Sequence, residues 1–159
     1  MENYKTQWST EVALEAMRKW CAAQDRCQSE VRNKLIEHMV FGLELENIIV
    51  KLISEGFINE ERFAKNYVRG KFRMNHWGRN KIMQGLKLFH ISEYCIRKGF
   101  AEIDDSEYFS TVKLELEKKW ATLKSGKTMA HRKKIQNFGL QKGYESEIIR
   151  EVINTLFKG

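Results

Sequence analysis

The sequence predicts an all-α protein assembled from short helices in repeated groups, and three observations predict it. Apolar residues recur at three- and four-residue spacing along nearly the whole chain, the period of an amphipathic helix. The 159 residues include no proline, where average usage would supply about eight; proline breaks helix interiors and is otherwise common in turns and linkers, so its absence favours helices joined by short connections. Third, the chain carries weak copies of itself, the mark of a repeat architecture. No run shows the strict alternation of a half-buried strand.

Taken in order, Ser9 or Thr10 caps a first helix bearing Val12, Ala13, Ala16, Met17 and Trp20. Ser29 caps a second, with Val31, Leu35, Ile36 and Met39, and Gly42 is a natural stop for it. A third runs from about 43 to 55 through Leu45, Ile48, Ile49, Leu52 and Ile53 and closes at Gly56. Asn59 opens a fourth, with Glu60 and Glu61 where the helix dipole favours acids, and Phe63, Ala64, Tyr67, Val68 and Phe72 on its apolar face. A fifth follows Trp77-Gly78 through Ile82, Met83, Leu86 and Phe89; Ser92 caps a short sixth, which contains the helix-weakening Gly99. Helices at about 105–123, 128–141 and 145–157 complete the reading.

Shifting the chain by 100 residues lays Val12 on Val112, Leu14 on Leu114, Ala16 on Leu116, Lys19 on Lys119, Trp20 on Trp120, Lys34 on Lys134 and Leu35 on Ile135. A weaker middle copy relates Lys34-Leu35 to Lys81-Ile82, and the stretch from Ile58 to Phe63 to that from Ile103 to Tyr108. The pattern predicts three three-helix units at 9–56, 57–102 and 103–159. Each is too small to bury its apolar face alone, so neighbours share a core.

Composition excludes several classes. Hydrophobic residues make up 42% and charged residues 31%, which suits a folded chain rather than a disordered one. The first twenty residues are interrupted by Glu2, Lys5, Glu11, Glu15 and Arg18 and offer no signal-peptide core, and no apolar run approaches the ~20 residues of a membrane span. Cys21, Cys27 and Cys95 are odd in number and form no CxxC pair, which points to small core-filling residues in a reducing compartment, the cytoplasm.

Charge is unevenly placed. The formal net charge is +7, from 28 Lys and Arg against 21 Asp and Glu. Residues 57–100 carry 10 basic and 3 acidic side chains, whereas residues 1–56 net −2 and residues 101–159 net +2. No acid occurs from Arg62 to Ser92, a stretch holding Arg62, Lys65, Arg69, Lys71, Arg73, Arg79, Lys81 and Lys87. Arg62, Lys65, Arg69 and Arg73 line one helix face, where like charges repel by a few tenths of a kcal/mol per pair unless an anionic partner is present. With no compensating acid nearby in sequence, this face reads as tracking phosphate or binding an acidic protein. Arg132, Lys133 and Lys134, with Lys127 before them, form a second basic cluster. Trp77 reads as a packing anchor ahead of a base-stacking platform.

The chemistry of a small-molecule site is missing. Ser125-Gly126-Lys127-Thr128 copies the end of a phosphate-binding loop, but Ala121 stands where the motif needs its first glycine. The preceding segment reads as helix rather than strand, so Gly126 reads as a helix stop. His38, His76, His90 and His131 make no metal-ligand spacing, no nucleophile signature occurs, and Asp104-Asp105 fits a helix start. Neither an enzyme nor a cofactor is expected.

One block is specific. The run Gly56-Phe57-Ile58-Asn59-Glu60-Glu61-Arg62-Phe63-Ala64-Lys65-Asn66-Tyr67-Val68-Arg69, followed by Trp77-Gly78-Arg79-Asn80-Lys81-Ile82, closely resembles the central segment of the bacterial RecX family. Weaker likenesses flank it, from Ser29 to Leu35 and from Ile135 through Phe138 to Gly143-Tyr144, so that the resemblance spans roughly residues 12 to 157. Gly85 and Gly99 depart from the family pattern and leave local helix stability open. The resemblance implies three tandem three-helix repeats in an elongated, curved array and no catalytic residues. It also implies a cytoplasmic monomer that binds the RecA recombinase filament on single-stranded DNA and inhibits its ATP hydrolysis and strand exchange. The competing reading is a basic helical DNA-binding protein acting without a recombinase partner.

Overall fold

A computed structural model describes residues 6–123 and 128–158. The described residues form nine α-helices and no strand: α1 (Thr10–Ala23), α2 (Gln28–Glu37), α3 (Gly42–Ser54), α4 (Glu60–Arg73), α5 (Arg79–Leu88), α6 (Glu93–Phe100), α7 (Asp105–Thr122), α8 (Met129–Lys142) and α9 (Ser146–Lys158). The principal helix–helix contacts lie within α1–α3, α4–α6 and α7–α9, which makes three three-helix units in chain order. The phosphate-loop look-alike is mostly outside the described residues, as are Gly126 and Lys127; of that motif only Thr128 is described, and it caps α8 by accepting from the His131 N–H at 3.3 Å.

Capping follows the sequence in most places. Ser9, Asn59, Ser92 and Asp104 each accept the backbone N–H three residues on. Ser29 does not: Cys27 occupies the N-cap of α2, the Glu30 carboxylate returns to its N–H at 3.2 Å, and the Ser29 hydroxyl leaves the helix to donate to the Phe89 carbonyl at 2.9 Å. Nor does Gly42 stop α2. That helix ends at Glu37, Met39 takes the left-handed conformation (φ 64°), and Gly42 begins α3.

The repeat is real, but its register differs from the ungapped shift. Val31, Ile82 and Ile135 are equivalent buried positions in the second helices. Each second helix ends in the same hook, with the N–H of Val40, Ile91 and Tyr144 donating to the carbonyl of Leu35, Leu86 and Gly139. A uniform 100-residue shift instead lays exposed Val12 on buried Val112, because α7 and α8 are longer than their counterparts. The pairing of Lys34-Leu35 with Lys81-Ile82 is likewise one helical turn out. The pairing of 58–63 with 103–108 holds: Ile58 matches Ile103 and Phe63 matches Tyr108, all buried.

The cores are two rather than one. Unit 1 closes around Met17, Leu35, Ile49, Leu52 and their neighbours. Units 2 and 3 share a continuous core that runs from Phe63, Val68 and Phe72 through Ile82 and Leu86 to Val112, Leu116, Ile135 and Ile153. Cys27, from the α1–α2 loop, is buried in that second core. The two unexpected glycines are explained by packing. A Cβ at Gly99 would lie 2.9 Å from the Ala64 carbonyl oxygen, so Gly99 lets α6 lie close against α4; one at Gly85 would strike the Tyr67 hydroxyl. In an open helix Gly→Ala stabilises by about 1 kcal/mol, whereas Gly99→Ala is expected to lower stability by about 1–3 kcal/mol through overpacking, read as a lower denaturation midpoint with unchanged m.

Candidate partner-binding surface

The units are joined by loops, and the joints use much of the charge expected to face a partner. At the first joint Arg62 Nε donates to Asp25 Oδ1 at 2.9 Å, while its other nitrogens reach the carbonyls of Gly56 and Phe57 at 3.1 and 3.3 Å. Asn66 holds the other Asp25 oxygen. The Glu60 carboxylate accepts from the Gln28 N–H at 3.3 Å; burial raises its pKa, and that backbone bond opposes the rise.

The second joint is tighter. Gly78 N–H donates to the Lys142 carbonyl at 2.6 Å and Asn80 N–H to that of Gly143 at 3.0 Å. A Cβ on Gly78 would lie 2.2 Å from the Gly143 carbonyl carbon, so only glycine permits the approach. Arg79 lies 3.9 Å over the Tyr108 ring and pairs with Asp105 at 2.6 Å and Glu145 at 3.1 Å. The Tyr108 hydroxyl accepts from Arg79 N–H at 3.1 Å and donates to Glu145, and the Tyr144 hydroxyl donates to the His76 carbonyl at 2.6 Å.

Each site residue read from the sequence can now be placed. Arg62, Lys65, Arg69 and Arg73 do share a face of α4, but they are not uncompensated. Lys65 pairs with Glu61 at 3.2 Å, Arg69 with Glu102 at 4.0 Å and Arg73 with Glu107 at 3.4 Å. The acids come from the helix start, from the α6–α7 connection and from α7, which the local acid-free count could not register. Pairs this exposed are worth about 0–1 kcal/mol each and leave the cations available. Arg62 and Arg79 are committed to the joints. Arg132 reaches Asn154 at 2.5 Å and lies 5.4 Å from the Phe157 ring centre.

Lys71, Lys81, Lys133 and Lys134 make no ion pair among the described residues. Lys133 and Lys134 are exposed on α8. Lys71 and Lys81 are half-buried, with their ammonium groups 4.7 and 4.4 Å from the centre of the Trp77 indole. Trp77 packs against the shared core and so is an anchor, with its ring serving the two lysines. The residues the sequence did not flag are Asp25, Tyr108, Lys142 and Glu145. The fold joins Asp25 to Arg62, Tyr108 and Glu145 to Arg79, and Lys142 to Asn75 and Gly78, across sequence separations of 29 to 67 that carry no local signal.

Among the described residues no group of three His, Cys, Asp or Glu side chains could hold a metal, and no helix is long and apolar enough to cross a membrane. The fold defines a helical-repeat protein built from three three-helix units. Comparison with known proteins narrows the class. Residues 59–99 match the family profile "RecX, second three-helix domain" and residues 105–153 match "RecX, third three-helix domain", together more than half of the chain. Curated relatives named "Regulatory protein RecX" include one from Clostridium perfringens, 26% identical over 133 residues covering 82% of this chain and 62% of that protein. Another, from Chlorobium phaeobacteroides, is 25% identical over 135 residues, covering 85% and 87%. The crystal structure of RecX from Lactobacillus salivarius superimposes with a TM-score of 0.83 at 23% identity, over 92% of this chain and 96% of that one. The chain belongs to the RecX family of regulatory proteins. It spans about 62% of the length of the Clostridium perfringens and Clostridioides difficile relatives.

Burial, and for Tyr108 also the bond to Glu145, holds the two joint phenols well above their ordinary value of 10.0. A raised folded-state pKa contributes stability that is fully present below the unfolded value and is lost as pH rises toward the folded one. The melting temperature is therefore expected to fall above about pH 10, and to fall less in a Tyr108→Phe/Tyr144→Phe variant measured beside the parent across the same pH range.

Proposed function

We propose that this chain binds the RecA nucleoprotein filament and inhibits its ATPase and strand exchange, acting in DNA recombination and repair. The observation that carries the reading is family membership through the second and third three-helix domains. Supporting it are the cations that α4, α5 and α8 carry at the surface, among them Arg73, Lys133 and Lys134 in solvent and the half-buried Lys71 and Lys81. Residues 9–56, 57–102 and 103–159 act as three units. The direct contacts come from Lys65, Arg69, Lys71, Arg73, Lys81, Arg132, Lys133 and Lys134. Arg62 and Arg79 act through the joints by fixing how the units that bear these cations are set. The protein works as a monomer in the bacterial cytoplasm.

The α4 cations distinguish a binding role from a structural one. Charge reversal at Arg69 and Arg73 breaks exposed pairs to Glu102 and Glu107 and an exposed bond from Arg69 to Asn66, so the melting temperature changes little. Inhibition of recombinase ATPase is expected to weaken at least tenfold in half-inhibitory concentration at low salt, and the gap between variant and parent to narrow as salt rises. Undiminished inhibition by a folded double variant removes these residues from the interface. Titration of bare against recombinase-coated single-stranded DNA at one salt concentration tests the partner: preference for the coated form is expected, and equal affinity would favour a plain DNA-binding protein.

A further inference from the structure

We infer that Lys71, Lys81 and Lys142, gathered around the Trp77 loop between α4 and α5, form a seat for the sugar–phosphate backbone of a single DNA strand. The inference rests on the filament reading above and assigns this part of the surface to nucleic acid rather than to recombinase. Lys71 projects from α4, Lys81 from α5 and Lys142 from the end of α8, so the seat spans the joint between units 2 and 3. The Lys71 and Lys81 ammonium groups lie 4.7 and 4.4 Å from one indole centre, and Lys142 Nζ donates to the Asn75 carbonyl in the same loop at 2.7 Å.

The lysines are held here by means other than carboxylates. Cation–π contact with Trp77 positions Lys71 and Lys81 without using a carboxylate, and Lys142 spends one donor on a carbonyl and keeps two. None of the three has an ion-pair partner among the described residues. The carboxylate next to this loop, Glu115, lies 3.9 Å from His76 and 3.6 Å from Lys118. This separates the loop from α4, where Lys65, Arg69 and Arg73 each meet an acid. A site of fixed ammonium groups without acceptors suits phosphate oxygens, which take Lys as a point charge. A base would need an open aromatic face, and the Trp77 ring is already engaged by two lysines, so the site takes backbone and ignores sequence.

The test is the salt dependence of binding to a labelled oligothymidine, followed by anisotropy with the full chain. Each phosphate neutralised on a single strand contributes about 0.7 to the slope of log K against log salt. Lys71→Gln plus Lys81→Gln is therefore expected to reduce that slope by about 1.4 at unchanged helicity and melting. Lys19→Gln plus Lys51→Gln, which removes the same charge from unit 1, leaves the slope as it was. Trp77→Leu keeps every charge, releases the two lysines and is expected to weaken binding several-fold; because it also removes core packing, Trp77→Phe serves as the folded control and retains affinity. Absence of salt-dependent binding by the parent overturns the inference, as does an unchanged slope in the lysine variant. An unchanged slope with lost ATPase inhibition assigns these lysines to recombinase and leaves the filament reading standing. Conversely, a parent chain that binds oligothymidine with the expected slope but never slows the ATPase removes the filament reading and keeps the seat.

Discussion

The structure depends on the way a loop of one unit closes on the next. In each second helix the same carbonyl receives a donor from the segment before it: His38 from the Trp8 N–H at 3.1 Å, Phe89 from the Ser29 hydroxyl at 2.9 Å, and Lys142 from the Gly78 N–H at 2.6 Å. The third and closest needs two glycines back to back. Around each inter-unit contact stands one arginine paired with acids of the other unit, Arg62 with Asp25 and Arg79 with Asp105 and Glu145. In unit 1 that socket is filled by the segment just before α1, where Trp8 stacks on His38 with ring centres 3.6 Å apart.

This arrangement divides the basic residues by type. The guanidinium groups of Arg62 and Arg79, with donors in a planar fork, join unit to unit, each holding more than one acceptor at once. The ammonium groups of Lys71 and Lys81 are positioned on the Trp77 ring, and Lys133 and Lys134 are left in solvent. A stretch of thirty-one residues without an acid thus serves two purposes, because the acids that answer its arginines are delivered by the fold from both neighbours and from Glu102 at the end of unit 2. Packing follows the same division: units 2 and 3 share one core, unit 1 keeps its own, and Cys27 links the first joint to the second core.

Much of this was legible in the residues. Helix positions followed from apolar spacing and from Ser9, Asn59, Ser92 and Asp104, whose caps are local chemistry. Three units were legible through self-similarity, though Val12 and Val112 show how a longer helix defeats an ungapped comparison. The end of α2 was misread because Met39, a residue with no special preference for the left-handed region, takes the turn that Gly42 was expected to supply. Trp77 was legible as an anchor. The ion pairs of Arg62, Arg69, Arg73 and Arg79 were not, since compensation depends on partners that lie far off in the chain and come close only when the units dock. Gly85 and Gly99 looked like weaknesses for the same reason: their value lies in the Tyr67 hydroxyl and the Ala64 carbonyl that approach them.

The most direct measurement of the account is a double-mutant cycle on thermal or denaturant unfolding between Arg79 and Glu145, using Arg79→Gln and Glu145→Gln. A joint that unites units 2 and 3 predicts a coupling of about 0.5–3 kcal/mol, the range for residues within one hydrogen-bonded network. Additive effects, within the ~0.3–0.5 kcal/mol seen for independent sites, would contradict it and return Arg79 to the open surface.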